Sequence, residues 1–294
     1  MRVLREGRAS DDGFRSELVP GIRASADASR LAAEIGFASG RLLAMAVEPP
    51  GLYGEARAAA STDLELATWI CLLTAYLSPL QDAEDPFAGI RRALAAMPSA
   101  EAPVVESELS GAGAVAVGPR TSHDRGRGGS TLIAYQQWIG RGGGGSGTAG
   151  EASPATQAGA FAGDPAWSAA RRFERVFERL ALPGLGRMGR YDLLVTLGRL
   201  GCYDMRPDSL QLSGSRGGTG EEPTIVAAKR VFGIGDPLLL ERRAAALAQA
   251  AEVPIETLDL ALANWAAPER ATLGFPADID DEGARERTLA ALGL

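Results

Sequence analysis

Near the middle of this 294-residue chain, Leu182-Pro183-Gly184-Leu185-Gly186-Arg187 joins two apolar-periodic stretches through a turn with two glycines. Glycines allow neighbouring backbone amides to point outward together. Amides at a helix start carry partial positive charge, so such a turn can hold a phosphate without reading any base. Proline and glycine are equally at home in an ordinary connection between helices. Three carboxylates follow in loops or at a helix start, Asp204, Asp208 and Glu222, where solvated or capping roles compete with chemistry. Upstream, a basic loop, Gly118-Pro-Arg120-Thr-Ser-His123-Asp-Arg125-Gly-Arg127, carries the only histidine. It leads to Tyr135 and Trp138, aromatics suited either to stacking on bases or to anchoring a core.

The elements that must position these groups are helical. Apolar residues recur at helical spacing throughout, and no stretch shows the sustained β-branched alternation of a sheet, so the fold class is all-α. Ser29 to Val47 and Thr62 to Leu80 read as helices; Leu64, Leu66, Trp69, Ile70, Leu72, Leu73, Tyr76 and Leu77 make the second nearly continuous in apolar character and central to a core. Asp85-Pro86 opens a short helix through Ala96. From 104 to 162 the composition shifts to Gly, Ala and Ser around the apolar island Thr131 to Ile139, which reads as a long, partly mobile insertion.

Asp164-Pro165 has the form of a cap and first helical residue, starting a helix with Trp167, Ala170, Phe173, Phe177 and Leu180 on one face. After the glycine turn, Met188 to Leu200 resumes helical spacing, and Gly201 is placed to end it. Leu212 to Glu221 is a glycine-serine loop. Pro223 and Asp236-Pro237 start further helices, Pro254 precedes another, and the tail ends in a short one. The expected organisation is two packed helical subdomains with long Gly-rich loops. It comprises a helical extension over 1–60, a principal domain over 61–267 and a tail over 268–294.

The net charge of −7 argues against indiscriminate nucleic-acid binding, yet the charge is uneven. Residues 1–118 carry 10 basic and 16 acidic groups, 119–200 carry 11 and 6, and 201–294 carry 9 and 15. The basic middle contains the glycine turn. All but one of the 30 basic residues are arginine, suited to bidentate phosphate contacts, and Lys229 is the sole lysine. One histidine and two cysteines in apolar settings, Cys71 and Cys202, support neither a disulfide framework nor a metal site, so no metal and no cofactor are expected. No apolar run reaches the roughly 18 residues of a membrane span, and Met1 to Ser16 alternates charges, which reads as cytoplasmic.

The pattern Leu-Pro-Gly-apolar-Gly-Arg between two amphipathic helices resembles the hairpin of the helix-hairpin-helix DNA glycosylases. Leu77-Ser78-Pro79-Leu80-Gln81 is similar to the segment in which that superfamily places a gap-filling glutamine. Pro207-Asp208 follows the hairpin at about the spacing of its essential aspartate. More closely, Phe173 to Leu200 and Ala227-Ala-Lys-Arg-Val-Phe-Gly-Ile-Gly-Asp236 resemble the alpha-glutamyl/putrescinyl thymine pyrophosphorylases, glycosylase-fold proteins associated with hypermodified phage bases.

The resemblance implies an enzyme acting on a base in double-stranded DNA, here phage DNA with modified bases. Gly184, Gly186, Arg187, Arg190, Ser78 and Gln81 would hold DNA, and Arg120, His123, Arg125 and Arg127 would lie at the base pocket or close over it. A glycosylase flips its nucleotide out of the stack, then stabilises the charge that develops on the sugar with a fixed carboxylate, for which Asp208 and Glu222 lead and Asp204 follows. Met188 stands where bifunctional members hold a Schiff-base lysine, which implies monofunctional excision of a hypermodified pyrimidine, such as glucosylated 5-hydroxymethylcytosine, in anti-phage defence. Two alternatives remain open at this point. One is displacement of pyrophosphate from an activated 5-hydroxymethyluracil; the other is a non-enzymatic DNA clamp.

Overall fold

The computed structural model describes residues 9–144, 156–214 and 222–294. Most of the glycine-serine loop expected over 212–221, and 145–155 within the insertion, lie outside the described residues. Among the described residues there are thirteen α-helices and no strand. In chain order they are α1 (Ser25–Val47), α2 (Gly51–Ala59), α3 (Leu64–Leu77), α4 (Ala88–Ala96), α5 (Glu106–Leu109), α6 (Ser130–Gly140) and α7 (Gln157–Ala162). They continue with α8 (Ala169–Arg179), α9 (Arg187–Arg199), α10 (Pro223–Phe232), α11 (Pro237–Ala250), α12 (Thr257–Ala266) and α13 (Glu282–Leu292). The all-α expectation holds.

The chain divides into two compact units, one built from the described residues up to Ala44 with Asp208–Leu294, the other from Met45–Pro207. In the second unit α3 is the central element, packed by α2, α4, α7 and α9. Its apolar residues surround the helix rather than forming a stripe, and Trp69, Ile70, Leu72, Leu73, Tyr76 and Leu77 are all buried. Each such side chain contributes on the order of 1.5–3 kcal/mol by leaving water. Asp63 starts the helix by accepting the Leu66 amide.

A buried aromatic series runs through this unit, from Trp69 to Tyr135 at 6.2 Å, Tyr135 to Trp138 at 5.7 Å, Trp138 to Phe161 at 5.4 Å and Phe161 to Tyr203 at 5.5 Å. Tyr135 and Trp138 therefore belong to the core, and neither ring is presented to solvent for base stacking. The Gly-rich insertion is less open than its composition suggests, because it contributes α5, α6 and α7. The Glu65 carboxylate on α3 accepts the Gln157 and Ala158 amides at 3.0 and 2.8 Å, docking the start of α7.

The helix expected from Asp164-Pro165 begins later. Asp164 instead closes a local turn through the Ala166 amide, and Ser168 caps α8 through Arg171. Both side chains suit caps, and the one whose apolar register fits α8 is used.

In the first unit α10 packs on α12, and α11 contacts α10, α12 and α13. Asp236 and Asp281 cap α11 and α13 by accepting the Leu239 and Ala284 amides. The Glu241 carboxylate takes the Leu210 and Leu212 amides at 2.8 and 2.6 Å, fixing the segment that enters this unit.

Candidate nucleic-acid interface

The glycine turn connects α8 to α9. The Leu185 amide donates to the Leu182 carbonyl at 3.1 Å, with Pro183 second and Gly184 third at φ +83°. Those are the marks of a type II turn, in which only glycine takes the third position without strain. A methyl group on Gly184 would also come within 2.1 Å of Thr131 Oγ1. Leu185 is buried and anchors the turn, whereas Gly186 is exposed and extended, at φ −66° and ψ 177°, as the N-cap of α9. Gly186 supplies no side-chain cap, and nothing lies within 4 Å of the place a methyl group would occupy. The positive end of α9 thus begins at an open, uncapped glycine.

Arg187 and Arg190 face inward. Arg190 is 6% exposed, donates to the Phe177 carbonyl at 2.8 Å and lies over the Phe177 ring at 4.2 Å. Burial, followed by the nearby Arg187 charge, pulls its pKa down to about 10. Arg187 is 3% exposed and lies over Tyr191. Both arginines brace the α8–α9 connection from within.

Around this turn the structure gathers most of the residues singled out from sequence. Ser78 closes α3 at φ +61° and ψ 137°, a strained conformation for a non-glycine residue, and its buried hydroxyl finds no hydrogen-bond partner among the described residues. The carbonyls of Leu77 and Ser78 both accept the Gly118 amide at 3.0 Å, which launches the basic loop. Gln81 is half-buried just beyond. The loop is pinned along its length. Arg120, also buried, pairs with Asp192 of α9 at 3.2 Å, and Ser122 Oγ lies 2.2 Å from where a methyl on Gly189 would stand.

His123 is buried, with Nδ1 2.8 Å from the Tyr76 hydroxyl and Nε2 2.7 Å from the Leu109 carbonyl. A carbonyl only accepts, so Nε2 carries the proton, and in the neutral ring Tyr76 donates to Nδ1. Burial raises the Tyr76 phenol pKa, opposed by a hydrogen bond with Thr131. Arg125 and Arg127 alone among the loop's named cations are exposed; Arg127 is 54% exposed and sits 3.5 Å from Asp124.

The candidate carboxylates are distributed differently. Asp204 belongs to the same unit as the turn; its carbonyl and carboxylate face Arg172, and its side chain is 81% exposed. Asp208 and Glu222 belong to the other unit. Asp208 is exposed, while Glu222 caps α10 by accepting the Ile225 amide at 3.2 Å. Lys229 lies half-buried within α10. The sequence reading missed Tyr76, Thr131 and Asp192. In the sequence Tyr76 reads only as an apolar residue of α3, and no local signal marks the other two.

Among the described residues the fold is all-helical, and α9 starts at an exposed glycine without a side-chain cap. Residues 121–273, just over half of the chain, match the model of the alpha-glutamyl/putrescinyl thymine pyrophosphorylase clade 3 family, and the chain belongs to that family. No curated protein and no solved structure matches the chain.

Proposed function

We propose that the protein modifies a pyrimidine within double-stranded DNA, replacing the pyrophosphate of an activated 5-hydroxymethyluracil with an amine such as an amino acid or a polyamine. The family match carries this reading, because it spans the glycine turn, the loop from residue 121 onward and the segment after α9 together. In this reaction the bond between the C5 methylene carbon and oxygen breaks, and pyrophosphate leaves with the electron pair. The amine nitrogen bonds to that carbon, and its surplus proton passes to a base. The glycosidic bond stays whole. The amides after Gly186 hold a phosphate of the DNA backbone, braced by Arg187 and Arg190.

A hydrolytic reading, excision of a hypermodified pyrimidine from phage DNA, draws on the loop carboxylates that follow the glycine turn. One experiment separates the two. Purified protein is incubated with duplex bearing the pyrophosphorylated base, with glutamate or putrescine, and with several phage genomic DNAs; nucleosides, free bases and pyrophosphate are then measured by mass spectrometry. Adduct and pyrophosphate in equal amounts are the expected result. Free base with alkali-labile sites would overturn group transfer in favour of excision, and binding with neither product would leave a non-enzymatic clamp.

A further inference from the structure

The segment from Arg120 to Thr131 touches the turn and its following helix three times. Arg120 pairs with Asp192, Ser122 abuts Gly189, and Thr131 abuts Gly184. Contacts before and after Arg125 and Arg127 thus fall on the same short stretch of chain, residues 184–192, and both arginines between them are exposed. The segment is also held from beneath. The Ser122 and His123 amides donate to the Tyr76 carbonyl at 2.9 and 3.2 Å, and the Glu106 carboxylate accepts the Gly129 amide at 2.8 Å. Asp124 turns the short 3-10 helix over 125–127 by accepting the Gly126 amide at 2.9 Å.

We propose that Arg125 and Arg127 form a second arm of the DNA-backbone clamp, each neutralising a phosphate next to the one held at Gly186. The inference rests on the proposed function. It adds that the loop is a fixed part of the interface rather than a flap that closes over the base. An exposed arginine on a well-anchored turn loses less freedom on binding than one on a floppy loop, and a guanidinium suits a phosphate in two-point contact. Asp124, the one acid on the same turn, is drawn toward Arg127 and must yield it to the phosphate.

The test is the salt dependence of binding to a labelled, unmodified duplex. Each phosphate contact contributes about −0.9 to the slope of log affinity against log salt, so Arg125→Ala with Arg127→Ala should make the slope shallower by close to about 1.8. Affinity at low salt should fall by roughly tenfold or more. The fold is checked by thermal melting, and Arg171→Ala with Arg175→Ala on the exposed side of α8 serves as a charge-matched control that should leave the slope almost unchanged. If Gly186→Asp weakens binding but the loop variant keeps the wild-type slope, the second arm is wrong and the proposed function stands. An equal loss of slope in the α8 control would reduce the effect to net charge and overturn the assignment. If the wild type does not bind duplex at all, the reading beneath it fails and the arm falls with it.

Discussion

The molecule builds two connections between helices around a glycine-apolar-glycine core, and they finish differently. Gly184-Leu185-Gly186 leads into α9 from an exposed glycine with no side-chain cap. Gly233-Ile234-Gly235 follows α10, whose C-cap Gly233 is left-handed at φ +64°, and enters α11 through Asp236 and Pro237. There the Asp236 carboxylate accepts the Leu239 amide at 3.0 Å, and Pro237 has no amide to offer. A capped helix start has already met its need for negative charge. A start at Gly186 has no capping side chain of its own, so similar turn chemistry serves stability in one case and, on the proposed reading, recognition in the other.

The largest effect should come from making the first turn like the second. Gly186→Asp supplies a capping carboxylate where space is open, so the fold should be kept or slightly stabilised. Binding to duplex DNA should fall by roughly 10- to 100-fold, the scale of losing a charged hydrogen bond. Fluorescence anisotropy and thermal melting measure the two arms, and undiminished binding with a carboxylate in place would remove the helix start from the interface.

Gly184→Ala should come next. It forces a side chain into a positive-φ position and against Thr131, so the unit should lose about 1–3 kcal/mol in denaturant titrations and bind DNA more weakly as the turn distorts. Full stability would contradict the turn geometry. In the second turn, Asp236→Ala should cost about 1 kcal/mol through loss of the cap and leave DNA affinity unchanged within twofold. A matching loss of affinity there would erase the contrast between the turns.

The smallest expected effect concerns product chemistry. Met188 is half-buried at the start of α9, and no lysine lies in the unit that holds the first turn. Borohydride should trap no covalent adduct with DNA, and trapping that disappears in Lys229→Ala would make the sole lysine a nucleophile.

Much of the fold is legible because its signals are local. The continuous apolar character of α3 follows directly from Leu64 to Leu77, and Asp236-Pro237 is both the expected and the observed start of α11. Where two caps compete within five residues, as Asp164 and Ser168 do, propensity alone does not choose; the register of Phe173 and Phe177 against the core decides. The site was legible at the glycine turn, whose positive φ is met by Gly184. Its surroundings were not. Arg120 and His123 look solvated in a Gly- and Arg-rich loop, yet partners distant in sequence, Asp192 and Tyr76, draw them inside. The inward facing of Arg187 and Arg190 is likewise hidden, since their partners are rings and a carbonyl supplied by packing.

Amide hydrogen exchange with and without a saturating unmodified duplex tests the central contrast most directly, because it reads the backbone groups themselves. The account predicts slower exchange on binding in peptides covering 182–190, with no change across 231–239. Slower exchange confined to 231–239, or none in 182–190 under conditions where the duplex is bound, would contradict it.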